Sequence, residues 1–251
     1  MLRAKTLTGT DFRSDHNLGK SLPNHKVIYH TQAQRYQLLV SREDYRGNLL
    51  PAILAVDHLQ GKDVIELGAG TGRITCQVAP LARQVVASDI SHHMLCLTKA
   101  YLAGLEISNW FLSLESHTAL PFVDESADVV IAGWSFCYAA IDAGDHWQTG
   151  LERALSETAR ILRPGGTLIL IESLGTGYES PHRPEVLRRY LDYLDNTDFE
   201  SSWIRTDYLF KDFSEAKMLT EFFFGEDPLP MWTGENGVIV PECTCLWWKR
   251  F

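Results

Sequence analysis

From residue 62 onward, apolar positions along the chain follow two alternating rhythms. Short apolar runs are followed by stretches with apolar residues three and four apart. The first rhythm is that of a buried strand, the second that of an amphipathic helix. Val64–Leu67 predicts a strand and Arg73–Ala79 a helix. Val85–Ser88 predicts a second strand. His92–Ala103 predicts a helix with Met94, Leu95, Leu97 and Leu102 at its apolar positions and Gly104 closing it. Asn109–Leu114 and Asp128–Ala132 predict strands three and four. Residues 147–162 predict an amphipathic helix, Pro164-Gly165-Gly166 a turn, and "TLILIE" strand five. Strands alternating with helices predict an α/β fold, a parallel sheet covered on both faces.

The flanks read differently. Residues 27–59 predict helix, with Ala33, Tyr36, Leu39 and Val40 on one face, interrupted by "SREDYRG" and ended by Gly61. After Glu172 the alternation loosens. "GTGYESPHRP" reads as a loop, Pro184–Leu194 as a helix, Trp203–Phe210 as a strand, Ser214–Phe224 as a helix and Val238–Trp248 as a strand. The aromatics Trp203, Phe222, Phe223, Phe224, Trp247 and Trp248 read as a packed sheet edge, since rings of this size carry large burial energies.

Composition narrows the function classes. A chain of 251 residues fits one large α/β domain with a small cap. A formal charge of −9 argues against a non-specific nucleic-acid binder, which needs Lys and Arg to neutralise phosphates. The five cysteines are odd in number and match no disulfide framework. Cys243 and Cys245 would share one strand face, and two thiolates alone do not make a zinc site, so no metal is expected. Reduced cysteines point to the cytoplasm. No apolar run reaches the ~18 residues of a membrane span. The N-terminus lacks the apolar core of a secretory signal, and residues 1–26 read as a tail.

The chemistry concentrates in "VIELGAGTGR", Val64–Arg73. Dinucleotide loops want G-x-G-x-x-G, with the third glycine packing helix on strand. Here the glycines are Gly68, Gly70 and Gly72, and the third dinucleotide position holds Arg73. No Lys-Ser or Lys-Thr follows, so the loop is not a P-loop. Glu66, just before the loop, would repel a phosphate and suit a cationic ligand. Asp89, at the tip of the second strand, is placed to accept both hydroxyls of a ribose. Each acid has a plainer reading: Glu66 as a solvated strand-end carboxylate, Asp89 as the cap of the following helix.

Four stretches, "VIELGAGTGR", "VVASDIS", "LPFVDESADVVIAG" and "ARILRPGGTLILIE", resemble in order and spacing the motifs of class I S-adenosylmethionine-dependent methyltransferases, over roughly residues 62–172. The resemblance implies a Rossmann-like seven-stranded sheet with the last strand antiparallel. It implies a helical cap over 27–61, a methyltransferase domain over 62–251 and a lid insertion at about 174–200. It implies that Gly68, Ala69, Gly70, Thr71 and Gly72 pass under the methionine and sugar of S-adenosylmethionine. Glu66 would lie near the amino group, Asp89 would take the ribose hydroxyls, and Ile90 and Met94 would flank the adenine. Gly133 and Tyr36 complete the implied cofactor contacts. The family often has an acid-small pair where this chain has Ser116, between Glu115 and His117; Ser116 and His117 are assigned to the adenine amine there.

The acceptor should enter over the ends of strands four and five. Trp134, Tyr138, His146 and Trp147 follow strand four, and Tyr178 and His182 follow strand five. Trp134, Tyr138, His146 and Tyr178 are the expected pocket, with His146 and Tyr138 as candidate bases. "REDYRGN", Arg42 to Asn48, is expected to close over the cofactor. The Asn- or Asp-Pro-Pro-Tyr/Phe motif of some amino-methylating enzymes is absent, since Gly133-Trp134-Ser135-Phe136 stands in its place. These features favour a small-molecule methyl acceptor. A protein or RNA acceptor, a non-catalytic S-adenosylmethionine-binding subunit and a dinucleotide oxidoreductase are the alternatives. Oligomeric state is left open.

Overall fold

The computed structural model describes residues 24–251; the expected tail lies almost entirely outside them. Three short helices come first: α1 (His25–Thr31), α2 (Ala33–Val40) and α3 (Leu49–Val56). Then follow β1 (Asp63–Leu67), α4 (Thr75–Val78), β2 (Gln84–Asp89), α5 (His92–Ala103), β3 (Trp110–Leu114), β4 (Ala127–Gly133), α6 (Cys137–Ile141), α7 (Trp147–Ile161) and β5 (Leu162–Thr176). The last part holds α8 (Arg188–Asp195), β6 (Glu200–Arg205), β7 (Tyr208–Phe210), α9 (Phe213–Phe224), β8 (Trp232–Gly234), β9 (Gly237–Val240) and β10 (Glu242–Arg250).

The main sheet has seven strands in the order β3-β2-β1-β4-β5-β10-β6. β1 to β5 run parallel to one another, and β10 runs antiparallel between β5 and β6. This is the sheet that the family resemblance implies, antiparallel last strand included. The order reverses between β1 and β4, which places a crevice at the carboxyl ends of β1, β2 and β4.

Each sheet face carries its own core. On one, Ile65, Leu67, Val130, Leu168 and Leu170 pack under Leu151, Ala154 and Ile161 of α7 and Tyr190, Leu191 and Leu194 of α8. α8 falls within the stretch expected as a lid, but it is a core helix of this layer. On the other face, Val64, Val85, Ile131 and Ile169 pack against Leu49 and Ile53 of α3, Val78 of α4 and Leu102 of α5. In β10, Cys243, Cys245 and Trp247 alternate onto the first face and Leu246 onto the second. All five cysteines are free thiols.

The predicted strands Trp203–Phe210 and Val238–Trp248 each break in two. β6 and β10 belong to the main sheet, whereas β7, β9 and β8 form a separate three-stranded sheet. The two breaks face each other. Thr206 N donates to Glu242 O at 3.0 Å, and Glu242 N donates to Asp207 Oδ1 at 3.0 Å. Pro241, with no N–H to give, sits at the second break. One long antiparallel pair thus bends from one sheet into the other. The small sheet has its own core of Tyr208, Phe210, Ala216, Leu219, Val238 and Val240, into which α2 inserts Leu39.

Other expectations also shift. The helix expected over 73–79 is regular only over α4, because the glycine loop continues as turns to residue 74. Pro164–Gly166 is not a free turn: Gly165 and Gly166 pair with Phe251 at the start of β5. Among the described residues, no helix is long and apolar enough to cross a membrane, and no three His, Cys, Asp or Glu are grouped to hold a metal.

Candidate active site

The glycine loop leaves β1 in a left-handed turn. Gly68 has φ of +72°, and a Cβ there would stand 2.2 Å from Ser135 Cβ in the loop after β4. Ser135 in turn donates from Oγ to Leu67 O at 2.7 Å, so the two loops lock together. Gly72 has φ of +89°, and its missing Cβ makes room for Thr98 of α5. Thr98 Oγ1 donates to Gly70 O at 2.8 Å. The loop is therefore fixed before any ligand arrives.

Asp89 ends β2 and faces this loop. Its Oδ2 accepts from Gly70 N at 2.8 Å and its Oδ1 from Ser91 N at 2.7 Å. The helix cap is Ser91, whose Oγ accepts from Met94 N, so Asp89 is not the cap of α5. Burial raises the Asp89 pKa, and the two N–H groups work against that rise. Each carboxylate oxygen keeps a lone pair for a further donor.

Glu66 lies beneath the loop, 2% exposed. Thr75 Oγ1 donates to it, and burial pushes its pKa up to about 8. It opens onto a small cavity of about 30 Å³ that also touches Ala69, Thr71, Arg73 and Trp134. Thr71 is held from outside by a hydrogen bond to Gln37 of α2. Arg73 is committed elsewhere: it pairs with Glu43 at 2.5 Å and lies 3.6 Å over the Trp134 ring. Trp134 holds φ of +50° while its N donates to Ile171 O at 2.7 Å.

Above the loop opens a cavity of about 430 Å³. Gly68, Gly70, Asp89, Ile90, Met94, Ser116, His117, Gly133 and Trp134 line its sheet side. Tyr29 and Tyr36 cover it from α1 and α2, and Tyr138 and Asp142 close one end. Tyr29 and Tyr36 meet edge to face, with centroids 5.3 Å apart. Burial pushes the Tyr36 phenol up to about 12 and also raises those of Tyr29 and Tyr138. These hydroxyls stay protonated at neutral pH.

Some sequence-predicted residues stand elsewhere. His146 is exposed in the turn before α7 and does not line the cavity. Tyr178 is 41% exposed and stacks on His182 at 3.9 Å, also away from it. None of residues 42–48 lines the cavity. Asp44 N and Tyr45 N donate to Thr206 O and Asp207 O, and the Asp44 carboxylate caps α3 through Asn48 N and Leu49 N. That segment joins the cap to the strand break.

Several cavity residues went unpredicted. Ser91 ties the floor to the roof, donating from Oγ to Tyr29 O at 3.1 Å. Lys26 and Asp142 pair at 2.9 Å across the rim. Ala139, Ala143 and Gly150 keep the far end narrow. The spacing of His25 and Tyr29, one helical turn apart in "HKVIYH", was a readable sign of an aromatic face.

Comparisons with known proteins agree with the fold. Residues 65–170 match the model of a methyltransferase domain family. Over that stretch the chain is similar to the methyltransferase domain family. The demethylmenaquinone methyltransferase of Tropheryma whipplei (strain Twist) is 30% identical over 136 residues, 53% of this chain and 50% of that protein. The malonyl-[acyl-carrier protein] O-methyltransferase of Methylococcus capsulatus is 33% identical over 108 residues, 42% of this chain and 35% of that protein. The chain thus spans half or less of the length of these relatives. A SAM-dependent methyltransferase from Aquifex aeolicus shares the fold, with a TM-score of 0.53, 12% identity and coverage of 86% of this chain and 96% of that one.

The residues present fit S-adenosylmethionine. A fixed loop of backbone without side chains faces a buried carboxylate with open lone pairs. Beside them, Ile90 and Met94 give an apolar wall, and Glu66 supplies a buried carboxyl beneath the loop.

Proposed function

We propose that this protein transfers a methyl group from S-adenosylmethionine to a small molecule. The observation that carries the reading is the cavity itself. One half is the glycine loop with Asp89, and the other is a ring-lined end walled by Tyr29, Tyr138 and Trp134. Asp89 would take the ribose hydroxyls, and Ile90, Met94, Ser116 and His117 would border the adenine. Gly68, Ala69, Gly70, Thr71, Gly72 and Gly133 would pass beneath the methionine, with Glu66 and Tyr36 at its end. When bound, the cofactor supplies a methyl on a sulfonium whose leaving group is neutral.

The chain's own residues then align and exclude. α1 and α2 roof the cavity and keep water from it, and Tyr138 and Trp134 flank an acceptor. Alignment of this kind contributes about 7–11 kcal/mol to bimolecular reactions. The Lys26–Asp142 pair across the rim leaves the acceptor end without net charge, which suits a neutral molecule. Two relatives are named for methylating a demethylmenaquinone and an acyl-carrier-bound malonyl group. Both names support an organic acceptor for this chain.

Calorimetric titration tests the donor. S-adenosylhomocysteine should bind and NAD should not. Binding of NAD with no response to S-adenosylhomocysteine would sink the reading.

A further inference from the structure

We propose that Tyr29, Tyr138 and His25 form a one-way proton relay that deprotonates a phenol-type acceptor. Tyr29 is the catalytic residue that meets the acceptor hydroxyl, and His25 is the terminal base. This rests on the methyltransferase reading and adds the acceptor atom and the route of its proton.

The relay is built from three contacts. Tyr29 Oη and Tyr138 Oη lie 3.1 Å apart, and Tyr138 Oη lies 3.3 Å from His25 Nδ1. His25 Nε2 lies 3.0 Å from Phe223 O. A backbone carbonyl only accepts, so Nε2 carries the hydrogen. The neutral imidazole then has a bare Nδ1, which accepts from Tyr138. Tyr138 has given its hydrogen away, so its oxygen accepts from Tyr29. The direction is forced from one end to the other. Tyr29 and Tyr138 both line the cavity. Among the described residues no other donor reaches the Tyr29 hydroxyl, so its oxygen is open to an acceptor's O–H.

Packing fixes the parts. The His25 ring stacks on Phe223 at 4.4 Å, and Tyr29 abuts Tyr36 edge to face. Burial keeps both phenols protonated, so they pass a proton on rather than hold a charge. The nearby acid, Asp142, is already paired with Lys26, so the wall holds no spare negative charge for an ammonium acceptor. Aromatic walls with a single open oxygen fit a flat ring bearing a hydroxyl.

The step balances. The acceptor oxygen forms its bond to the methyl carbon, and the methyl–sulfur bond breaks with its electron pair remaining on sulfur. The acceptor's proton goes to Tyr29 Oη, that of Tyr29 to Tyr138 Oη, and that of Tyr138 to His25 Nδ1. The positive charge lost by the sulfonium ends on the imidazolium. His25 is only half-buried and returns its proton to water.

Two measurements test this. In the free protein, ¹⁵N-histidine NMR with His25→Gln for assignment should show neutral His25 as the Nε2–H tautomer, with its Nδ1 signal moved by Tyr138→Phe. An Nδ1–H tautomer overturns the relay. In the second, a panel of hydroxylated benzenes and naphthalenes is compared with nitro- and polyfluorophenols already ionised at the assay pH. Tyr29→Phe and Tyr138→Phe, checked for folding by thermal melting, should slow methylation of the protonated phenols by about 10²–10⁴-fold, the usual share of general-base catalysis. On the ionised ones the loss should be about tenfold or less. Equal losses on both sets overturn the relay. If S-adenosylhomocysteine binds but no phenol is methylated, the inference fails and the methyltransferase reading stands. If S-adenosylhomocysteine does not bind, the underlying reading fails.

Discussion

Asp89 holds two backbone N–H groups on one carboxylate, and the proposed ribose contacts would use the lone pairs that remain. Hydrogen bonds to a charged group are worth about 1.5–3 kcal/mol each. Asp89→Ala should therefore weaken S-adenosylhomocysteine binding by about 10- to 100-fold in a calorimetric titration. An unchanged affinity would remove Asp89 from the site. Gly68→Ala tests the loop. It forces a side chain to φ of +72° and against Ser135. A strained backbone of this kind costs about 1–3 kcal/mol, seen as a lower melting temperature. Adding Ser135→Gly should recover part of the loss; no recovery would mean that the close approach is not the constraint. These residues were legible in the sequence because they sit within one strand–loop–helix unit and its neighbour. Tyr29 and His25 were not legible as partners of Tyr138. They lie 109 and 113 residues from it, and only the fold of α1 over the sheet brings them together.

At the scale of elements, α6 depends on a neighbouring strand. It has five residues, too few to be stable alone, yet it presents Tyr138 and leads to Asp142. Glu172, near the end of β5, supports it by accepting from Cys137 N at 3.1 Å. Burial pushes the Glu172 pKa up to about 8, as it does those of Glu66 and Glu242. The unfolded chain releases these protons in the ordinary carboxylate range, but the folded chain holds them until about pH 8. Their stabilising contribution is complete below that ordinary range. It shrinks as pH rises toward 8, since the unfolded state then binds fewer protons. The melting temperature should fall between pH 6 and pH 9, and Glu172→Gln, which keeps a carbonyl for Cys137 N, should fall less steeply. Identical slopes would show that Glu172 does not titrate in this window. Strand and helix positions in the parallel half were legible because each run is bounded by glycine, proline or a polar turn. The predicted strands run through the bends at Thr206–Asp207 and at Pro241, although Arg205-Thr206-Asp207 and Pro241-Glu242 interrupt the apolar runs there; which sheet each half joins is set by distant partners.

Over the whole molecule, the small sheet and the site are linked through α2. Leu39 lies in the core of that sheet, whereas Tyr36, less than one turn earlier, roofs the cavity and Gln37 holds Thr71. Phe210 is fully buried at the centre of this core. Phe210→Ala should cost about 3–5 kcal/mol, the usual range for a lost core aromatic. It should also loosen α2. Hydrogen exchange would show faster amide exchange in Ala33–Val40 together with β7 and β9, and S-adenosylhomocysteine affinity should drop. Exchange that changes in the sheet alone would show that α2 is anchored independently.

The sequence by itself determined the parallel sheet, its helices, the glycine loop and the acid at the tip of β2. Each depends on neighbours within a few tens of residues, where periodicity and turn chemistry act directly. The tertiary structure alone decided which residues meet across the roof and the acceptor end, setting Tyr29 and His25 against Tyr138. It placed "REDYRGN", His146 and Tyr178 away from the cavity, packed α8 into the core, and set Arg73 over Trp134. Those outcomes depend on which distant surfaces meet when apolar area is buried, and a pattern along one chain does not carry that information.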